Sequence, residues 1–354
     1  MKPTPAKFRK ASLVAKTLAG SWREGEQQPR QVSAAELNEV TPLLTSSGAA
    51  ALAWWRVKNS ELRDTASAQV LRQIYRLQQL QASIAEEKVE KVFRVLRRHS
   101  VDAFLAKGWA AVKMYPDQGL RPSGDIDLCI RPSHRNIVDQ LLEDQELIDC
   151  SIDLHTRFSE LSDRSFDELL TRAKLVNINS TEVRVLSDED HLALLSIHFL
   201  KHAGWRPLWL CDVSVALEST SASFDWDRCL GKNKTRAHWI LCTFALAERL
   251  LDADSSRCPK QVNADELPSW FVDSIFAAWC NPNALDQPPL THPIPMSQLL
   301  RAPRLLPAGL RQRWPNPILA TVSVNGQFNS FPRFPYQVAN WLARIKHLAA
   351  GEEF

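Results

Sequence analysis

Two aspartates separated by one residue, Asp125 and Asp127, stand directly before an apolar run at residues 128–130. Because alternate residues of a β-strand point to the same face, both carboxylates would lie side by side. Two such charges repel each other by roughly 1 kcal/mol in water and by several in a partly dry cleft. A cation removes that repulsion, and oxygen ligands suit Mg²⁺ or Mn²⁺. A third carboxylate, Asp153, lies in a second strand-like run and can complete the site, so the pattern indicates metal-assisted chemistry on phosphoryl groups.

The surroundings of this pair distinguish it from the other Asp-x-Asp pairs of the chain. Those pairs lie where helices are predicted to begin or end, and only Asp125 and Asp127 are preceded by a Ser-Gly turn and followed by a strand-like run. The three other pairs are Asp188/Asp190, Asp225/Asp227 and Asp252/Asp254.

A turn upstream of the aspartates is typical of a phosphate-binding loop. Residues 103–106 form a short apolar run, Lys107-Gly108 follows, and residues 109–115 are compatible with a helix that ends before Pro116. A glycine at the mouth of a helix lets backbone N–H groups approach a phosphate, and a helix N-terminus favours anions. Lys107 would add a positive charge for a triphosphate, and Arg121 would grip a phosphate from the loop before the strand. An ordinary turn with a solvated lysine is the alternative.

These motifs together resemble the uncharacterised bacterial nucleotidyltransferase family of the polymerase-β superfamily. The resemblance rests on Lys107-Gly108, on Arg121-Pro122-Ser123-Gly124-Asp125-Ile126-Asp127 and on Asp153-Leu154-His155. A later run, residues 195–213, is similar to the helical second half of that family, and the resemblance covers roughly residues 71–250. Abortive-infection type II toxin nucleotidyltransferases share a related pattern. The chain departs from the wider superfamily at Lys107-Gly108, where Gly-Gly or Gly-Ser is usual.

The resemblance implies a role for each matching residue. Asp125 and Asp127 would bind both metal ions, and Asp153 would bind the ion that activates the acceptor. The implied cofactor is Mg²⁺ or Mn²⁺, the implied substrate is a nucleoside triphosphate, and the acceptor is unknown. The residues expected to bind the nucleotide and its cofactor are Lys107, Gly108, Arg121, Ser123, His155, Lys201 and His202.

Several of these side chains have alternatives that the sequence leaves open. His155 would orient Asp153, assist proton transfer or contact the acceptor, or it is simply a histidine hydrogen-bonded at the sheet edge. His198 and His202 share one helix face at metal-ligand spacing, yet no suitable third ligand is evident, so a structural role is favoured. Lys201 and Arg206 would reach the triphosphate and Trp205 or Trp209 would stack on a base, whereas Asp212 is expected to be structural.

The composition of the whole chain is that of a soluble globular protein. It has 354 residues, of which 45% are hydrophobic and 23% charged, with a net charge of +3, so composition alone does not demand a nucleic-acid partner. No apolar run approaches the roughly 18 residues of a membrane span, and a cytoplasmic location is expected. The seven cysteines form no Cys-x-x-Cys pair, which indicates buried thiols in a reducing compartment and no zinc site.

We predict an α+β fold in which a small mixed-sheet nucleotidyltransferase core is flanked by helical regions on both sides. Ser33 and Glu36 fit a capping box at the start of one N-terminal helix, and residues 65–98 have the spacing of a long helix. Residues 176–179 and 183–185 predict a hairpin with its turn at Ser180-Thr181. The predicted divisions are an N-terminal helical region (1–99), the catalytic core (100–186), a helical domain (187–286) and a Pro-rich basic C-terminal segment (287–354).

The C-terminal segment leaves the partner and the biological role open. Ten of the 21 prolines lie between Pro288 and Pro335, so long regular elements are not expected there. Arginines and aromatic residues are interleaved in it, and residues 287–351 contain no aspartate or glutamate, which suits an RNA or polyphosphate acceptor but also a tail wrapped over the core. The leading hypothesis is therefore a Mg²⁺-dependent nucleotidyltransferase that releases pyrophosphate. The alternatives are a toxin-like or regulatory modifier of transfer RNA or protein, and a non-catalytic nucleotide-binding scaffold on the same fold.

Overall fold

A mixed five-stranded sheet lies between helical regions that precede and follow it, which confirms the predicted α+β class. The computed structural model describes residues 6–25, 30–280, 304 and 314–350, the last six of these in their backbone only. The strands are β1 (Ala103–Leu105), β2 (Ile126–Ile130), β3 (Ile152–His155), β4 (Lys174–Ile178) and β5 (Thr181–Val185).

The order of the strands places the two acidic strands side by side at one edge of the sheet. Across the sheet the order is β3-β2-β1-β5-β4. The strand β2 runs parallel to β3 and antiparallel to β1, while β1 runs parallel to β5. The β4–β5 hairpin turns at Asn179 and Ser180, so Thr181 is the first residue of β5 rather than part of the turn as predicted.

Helices surround the sheet and account for most of the remaining described chain. Those before the sheet are α1 (Arg9–Leu18), α2 (Ala34–Ser46), α3 (Ala50–Val57) and α4 (Ala66–Arg98). Those between the strands are α5 (Gly108–Val112), α6 (Arg135–Leu142) and α7 (Phe166–Arg172). Those after the sheet are α8 (Asp188–Lys201), α9 (Pro207–Glu218), α10 (Trp226–Leu230), α11 (Lys234–Leu251), α12 (Ser269–Trp279), α13 (Pro317–Ser323) and α14 (Phe334–Ala350).

Several local signals in the sequence correspond to the elements observed. The capping box is present at the start of α2, where Ser33 accepts from the Glu36 N–H and Glu36 accepts from the Ser33 N–H. The helix α5 is shorter than predicted and ends at Val112. The expectation that the C-terminal segment lacks long regular elements is wrong for α14, because its proline, Pro335, lies in the first turn, where no intrahelical N–H bond is lost. Most of residues 287–313 lies outside the described part of the chain.

The two faces of the sheet have different characters because the strand side chains alternate. Ile126, Leu128 and Ile130 of β2 pack with the C-terminal half of α4 in one apolar cluster, whose members Leu128 and Ile130 are 0% exposed. Burying an aliphatic side chain of this kind contributes about 1.5–3 kcal/mol. Asp127 and Cys129 point to the opposite face, which is covered by the loop after β3 and by α7 and α8. The predicted site residue Asp127 therefore lies on this second face.

A third apolar cluster joins the N-terminal helices to the helices that follow the sheet. Residues of α1, α2 and α3 pack there against α9, α11 and α12. The predicted division of the chain into four regions stays a prediction. Within the described ranges, no helix combines the length and the apolar character needed to cross a membrane.

Candidate active site

The strand register brings the third predicted carboxylate to the predicted pair. Asp127 on β2 lies directly opposite Asp153 on β3, and Cys129 lies opposite His155. The side chains of Asp127, Asp153 and His155 each offer a ligand atom, and these atoms all lie within 4.8 Å of one another. In the part of the chain that the structure describes, these residues form a cluster with the composition of a metal site. We call Asp127, Asp153 and His155 the acid cluster.

Asp125 stands beside this cluster but is not a member of it. The residue lies in the bend directly before β2 and is exposed to solvent. Its backbone carbonyl oxygen faces Gly108: a Cβ added to that glycine would lie 2.8 Å from it. Asp125 is therefore placed at the rim, where an exposed carboxylate can meet a ligand that Asp127 contacts from within the sheet.

The Lys107-Gly108 turn lies against the acid cluster, and both of its residues have positive φ angles. Lys107 has a φ of +53°, in a region that side chains other than glycine rarely adopt, and Gly108 has a φ of +28°. A Cβ on Gly108 would also lie 3.0 Å from Oδ2 of Asp127, so only glycine fits there without a shift. Residues held in such conformations cost about 1–3 kcal/mol and concentrate at functional sites.

Lys107 and His155 share the carboxylate of Asp127. The Lys107 ammonium lies 2.8 Å from Oδ1 of Asp127, with both side chains about one-seventh exposed. The ring nitrogen Nε2 of His155 lies 3.5 Å from the same oxygen and 3.0 Å from Oδ2 of Asp153. Burial opposes ionisation of Asp127, but the neighbouring His155 ring and the Lys107 ammonium outweigh it, so the pKa of Asp127 is lowered. The carboxylate is therefore ionised at neutral pH.

The acid cluster fits a divalent cation by two independent observations. Nε2 of His155 is buried between two carboxylates, yet it is aligned with no hydrogen-bond acceptor among the described residues. The Lys107 ammonium shows in addition that a positive charge is accepted at the edge of Asp127. Carboxylate oxygens suit Mg²⁺ and Mn²⁺, and the unpartnered imidazole nitrogen lies beside them.

Arg121, expected to grip a phosphate, is instead buried and fully engaged by protein groups. Its guanidinium donates to both carboxylate oxygens of Asp212, at 2.8 and 3.0 Å, and to the carbonyl oxygen of Gly108, at 3.0 Å. Asp212 is 0% exposed and also accepts from the Tyr115 hydroxyl at 2.8 Å. Burial disfavours the charged guanidinium, but Asp212 outweighs it and raises the pKa of Arg121. In this structure Arg121 ties the Lys107-Gly108 turn to α9.

The remaining predicted nucleotide-binding residues lie at different depths around the cleft. Ser123 is half-buried in the loop before β2. Lys201 is half-buried and donates to the Ser159 hydroxyl at 2.5 Å, and burial lowers its pKa. His202 packs against His198 with 4.3 Å between ring centroids, and burial followed by the charge of His198 lowers the pKa of His202 to about 4.

Of the two tryptophans considered for base stacking, Trp209 is the more accessible. Trp205 is only 8% exposed and belongs to the apolar core, whereas Trp209 is half-buried. The Trp209 ring packs edge-on against both His198 and His202, at 4.8 and 5.1 Å between centroids. The pair His198 and His202 therefore forms part of an aromatic cluster, and the structure gives it no third metal ligand within the described ranges.

Two residues that the sequence did not single out occupy the middle of the site. The Phe158 ring lies 4.7 Å from that of His155 and 5.3 Å from the Lys107 ammonium. Glu160 is 8% exposed, and its Oε1 lies 3.5 Å from Nδ1 of His198. Burial opposes ionisation of Glu160, but His198 and Lys201 hold its pKa far below the usual range. Their only signal in the sequence is their position just after the strand that carries Asp153.

Comparison with known proteins gives one match. The sequence model of a family described as an uncharacterised nucleotidyltransferase matches residues 33–252, which is well over half of the chain and includes every residue of the acid cluster. No curated protein and no solved structure matches the chain.

Proposed function

Because the chain belongs to this uncharacterised nucleotidyltransferase family, we propose that it is a divalent-metal-dependent enzyme that transfers a nucleoside monophosphate. The donor is a nucleoside triphosphate, the acceptor is a hydroxyl or phosphate group, and pyrophosphate is released. The observation that carries the proposal is the convergence of Asp127, Asp153 and His155 within 4.8 Å, next to a strained Lys-Gly turn.

The acid cluster supplies the ligands for the cation. Asp127 and Asp153 would hold it, with Asp125 at the rim. When bound, Mg²⁺ or Mn²⁺ lowers the pKa of an acceptor hydroxyl and stabilises the charge that develops on the leaving pyrophosphate. All the carboxylates that this chemistry needs are present, which favours an enzyme over a non-catalytic scaffold.

The other side chains position the substrates and move a proton. Gly108 lets the triphosphate approach the turn without steric conflict, and Lys107 places a positive charge beside it. His155 Nε2, 3.0 Å from Asp153, is placed to take the proton of an acceptor hydroxyl. Arg121 acts at one remove, since it holds the carbonyl of Gly108 and fixes the turn. Transfer of this kind depends mainly on positioning and electrostatics.

The decisive experiment is label transfer from each of the four α-phosphate-labelled nucleoside triphosphates in a cell extract, with Mg²⁺ or Mn²⁺. Wild-type protein is compared with the Asp125→Ala/Asp127→Ala variant. We expect a labelled product only with intact protein and added metal, and its nature identifies the nucleotide and the class of acceptor.

A matched control uses an aspartate remote from the site. Asp227 is 91% exposed in its side chain and pairs only with Lys260 among the described residues, so Asp227→Asn should transfer label at the wild-type rate. Equal label with the Asp125→Ala/Asp127→Ala variant would contradict the assignment of these aspartates. Absence of label with every nucleotide, together with binding of Mg²⁺ and nucleotide, would favour the scaffold.

A further inference from the structure

A cavity of about 400 Å³ opens on the sheet face that carries the acid cluster. Its floor is Cys129, which lies opposite His155 in the β2–β3 register and two residues beyond Asp127. Residues two apart on a strand are separated by roughly 7 Å, so the cavity begins within one such step of the acid cluster. The volume lies in the range of small-molecule sites and is too small for a folded macromolecule.

Phe158 contacts the Lys107-Gly108 turn and also lines this cavity. Its ring contacts that of His155 at 4.7 Å and the Lys107 ammonium at 5.3 Å, and it also lines the cavity. The turn and the cavity therefore adjoin the same aromatic residue. A group transfer requires two substrates held next to each other, and the turn and the cavity offer neighbouring places for them.

The lining of the cavity determines which chemistry it accepts. Most of the walls are apolar or aromatic, two hydroxyl groups interrupt them, and the charged residues are both arginines. In the described part of the chain, no aspartate or glutamate lines it. The lining consists of Cys129, Pro132, Thr156, Arg157, Phe158, Arg164, Ser165, Phe166 and Leu169.

The two arginines differ in how their charge is used. Arg164 is 8% exposed and is neutralised by Asp190, while its other nitrogen donates to backbone carbonyl oxygens of α10. Arg157 is exposed at the rim and forms no ion pair with a described residue. A guanidinium in this position binds carboxylates and phosphates and repels cations.

From this arrangement we infer that the cavity is the acceptor site, and that the acceptor is a small molecule with an aromatic or apolar ring and an anionic group. The inference rests on the proposed function. The ring packs between Phe158 and Phe166, the anionic group meets Arg157, and the acceptor's nucleophilic oxygen points toward Asp153 and His155. That oxygen forms a bond to the α-phosphorus as the bond to pyrophosphate breaks, and His155 takes its proton. Polycationic acceptors are excluded by the same lining.

A binding experiment tests the cavity without requiring catalysis. Phenyl phosphate carries a ring and an anion, and phenethylamine carries a ring and a cation; each is titrated with the full chain by saturation-transfer NMR. We expect phenyl phosphate alone to bind. Thr156→Trp, which fills the cavity from a half-buried position, should abolish binding, and Arg157→Glu should weaken it at least tenfold. The matched control is Arg94→Glu, a charge reversal at an exposed position on α4, which should bind as wild type does.

Retained binding by Thr156→Trp, or equal binding of phenethylamine, would overturn the assignment. The label-transfer assay with the low-molecular-weight fraction of an extract then separates this inference from the proposed function. We expect Thr156→Trp to transfer label at least tenfold more slowly than wild type, with unchanged nucleotide affinity. Label entering RNA or protein, with no effect of Thr156→Trp, would overturn the acceptor class while leaving the enzyme established. Binding of phenyl phosphate without transfer by wild type would count against the proposed function alone.

Discussion

Two pairs of a basic residue and an aspartate lie on either side of Gly108, and they differ in burial and in geometry. Arg121 and Asp212 are 7% and 0% exposed in their side chains and are joined by two parallel hydrogen bonds. Lys107 and Asp127 are 14% and 13% exposed and are joined through one ammonium group. A planar guanidinium on a buried carboxylate is fixed, whereas an ammonium on a flexible stem can leave its partner at low cost.

This difference separates a group that builds the site from one that is available for chemistry. Asp212 also accepts from Tyr115, and Arg121 also donates to Gly108, so both members of the buried pair are held by further protein groups. Asp127, in contrast, faces Asp153 and His155, and under the proposed function it would exchange the ammonium for a metal cation. The Arg121–Asp212 pair is therefore structural, whereas the Lys107–Asp127 pair is the one that a bound cation would replace under the proposed function.

The largest expected effect is a loss of activity when the Lys107–Asp127 pair is changed. Asp127→Asn should reduce label transfer by at least about a thousandfold, because the cation loses a charged ligand at the reacting centre. The free energy of unfolding should fall by less than in Asp212→Asn, because the Lys107–Asp127 pair is partly exposed and the substitution removes the repulsion between Asp127 and Asp153. Transfer rates and urea unfolding of the same preparation measure both quantities.

Either of two results would contradict this reading of Asp127. Full activity of Asp127→Asn would remove the residue from the metal site, and a loss of several kcal/mol in stability would make it a structural residue like Asp212. Asp227→Asn again serves as the control for removal of a surface carboxylate.

The next largest effect is on stability, from the buried pair. Asp212→Asn should lower the free energy of unfolding by about 3–5 kcal/mol, because the Arg121 charge remains buried without its partner. The double variant Arg121→Met/Asp212→Leu should recover part of that loss, since replacing a buried pair by apolar side chains is often neutral. A double-mutant cycle by urea unfolding measures the coupling.

The double variant also distinguishes folding from positioning. With the fold restored, the carbonyl of Gly108 still lacks its Arg121 donor, so we expect label transfer to stay at least tenfold below wild type with an increased KM for the nucleotide. Wild-type kinetics in a restored double variant would show that Arg121 contributes to stability alone.

Strand alternation and local spacing predicted that Asp153 would lie beside Asp127 on a neighbouring strand, and the β2–β3 register has the two residues opposite each other. Asp125, predicted to lie beside Asp127 on the same strand, is instead in the bend before β2. The capping box and the long helix α4 followed from equally local signals. Such features depend on residues close to one another in the sequence.

The residues that the sequence could not place depend on contacts between distant segments. Arg121, which was predicted to bind a phosphate, is instead buried in an ion pair with Asp212, 91 residues away. Phe158 and Glu160 acquire their places only because α8 packs over the loop after β3. A single sequence does not show which of several arginines or aromatic residues such packing will bury.

The smallest expected effect is a dependence of stability on pH that arises from a buried histidine near the Arg121–Asp212 pair. His191 is 6% exposed near the Arg121–Asp212 pair, and burial lowers its pKa from 6.5 to about 4. Below pH 6.5 the unfolded chain binds a proton that the folded chain refuses, so stability is lost as the pH falls from about 6.5 to about 4. His191→Gln should make the dependence of stability on pH shallower between pH 6.5 and 4 and should leave the slope above pH 7 unchanged. Some slope should remain below pH 6.5, because His198 and His202 still contribute. Urea unfolding at several pH values measures the slope, and an unchanged slope in His191→Gln would mean that His191 binds protons equally in the folded and unfolded states.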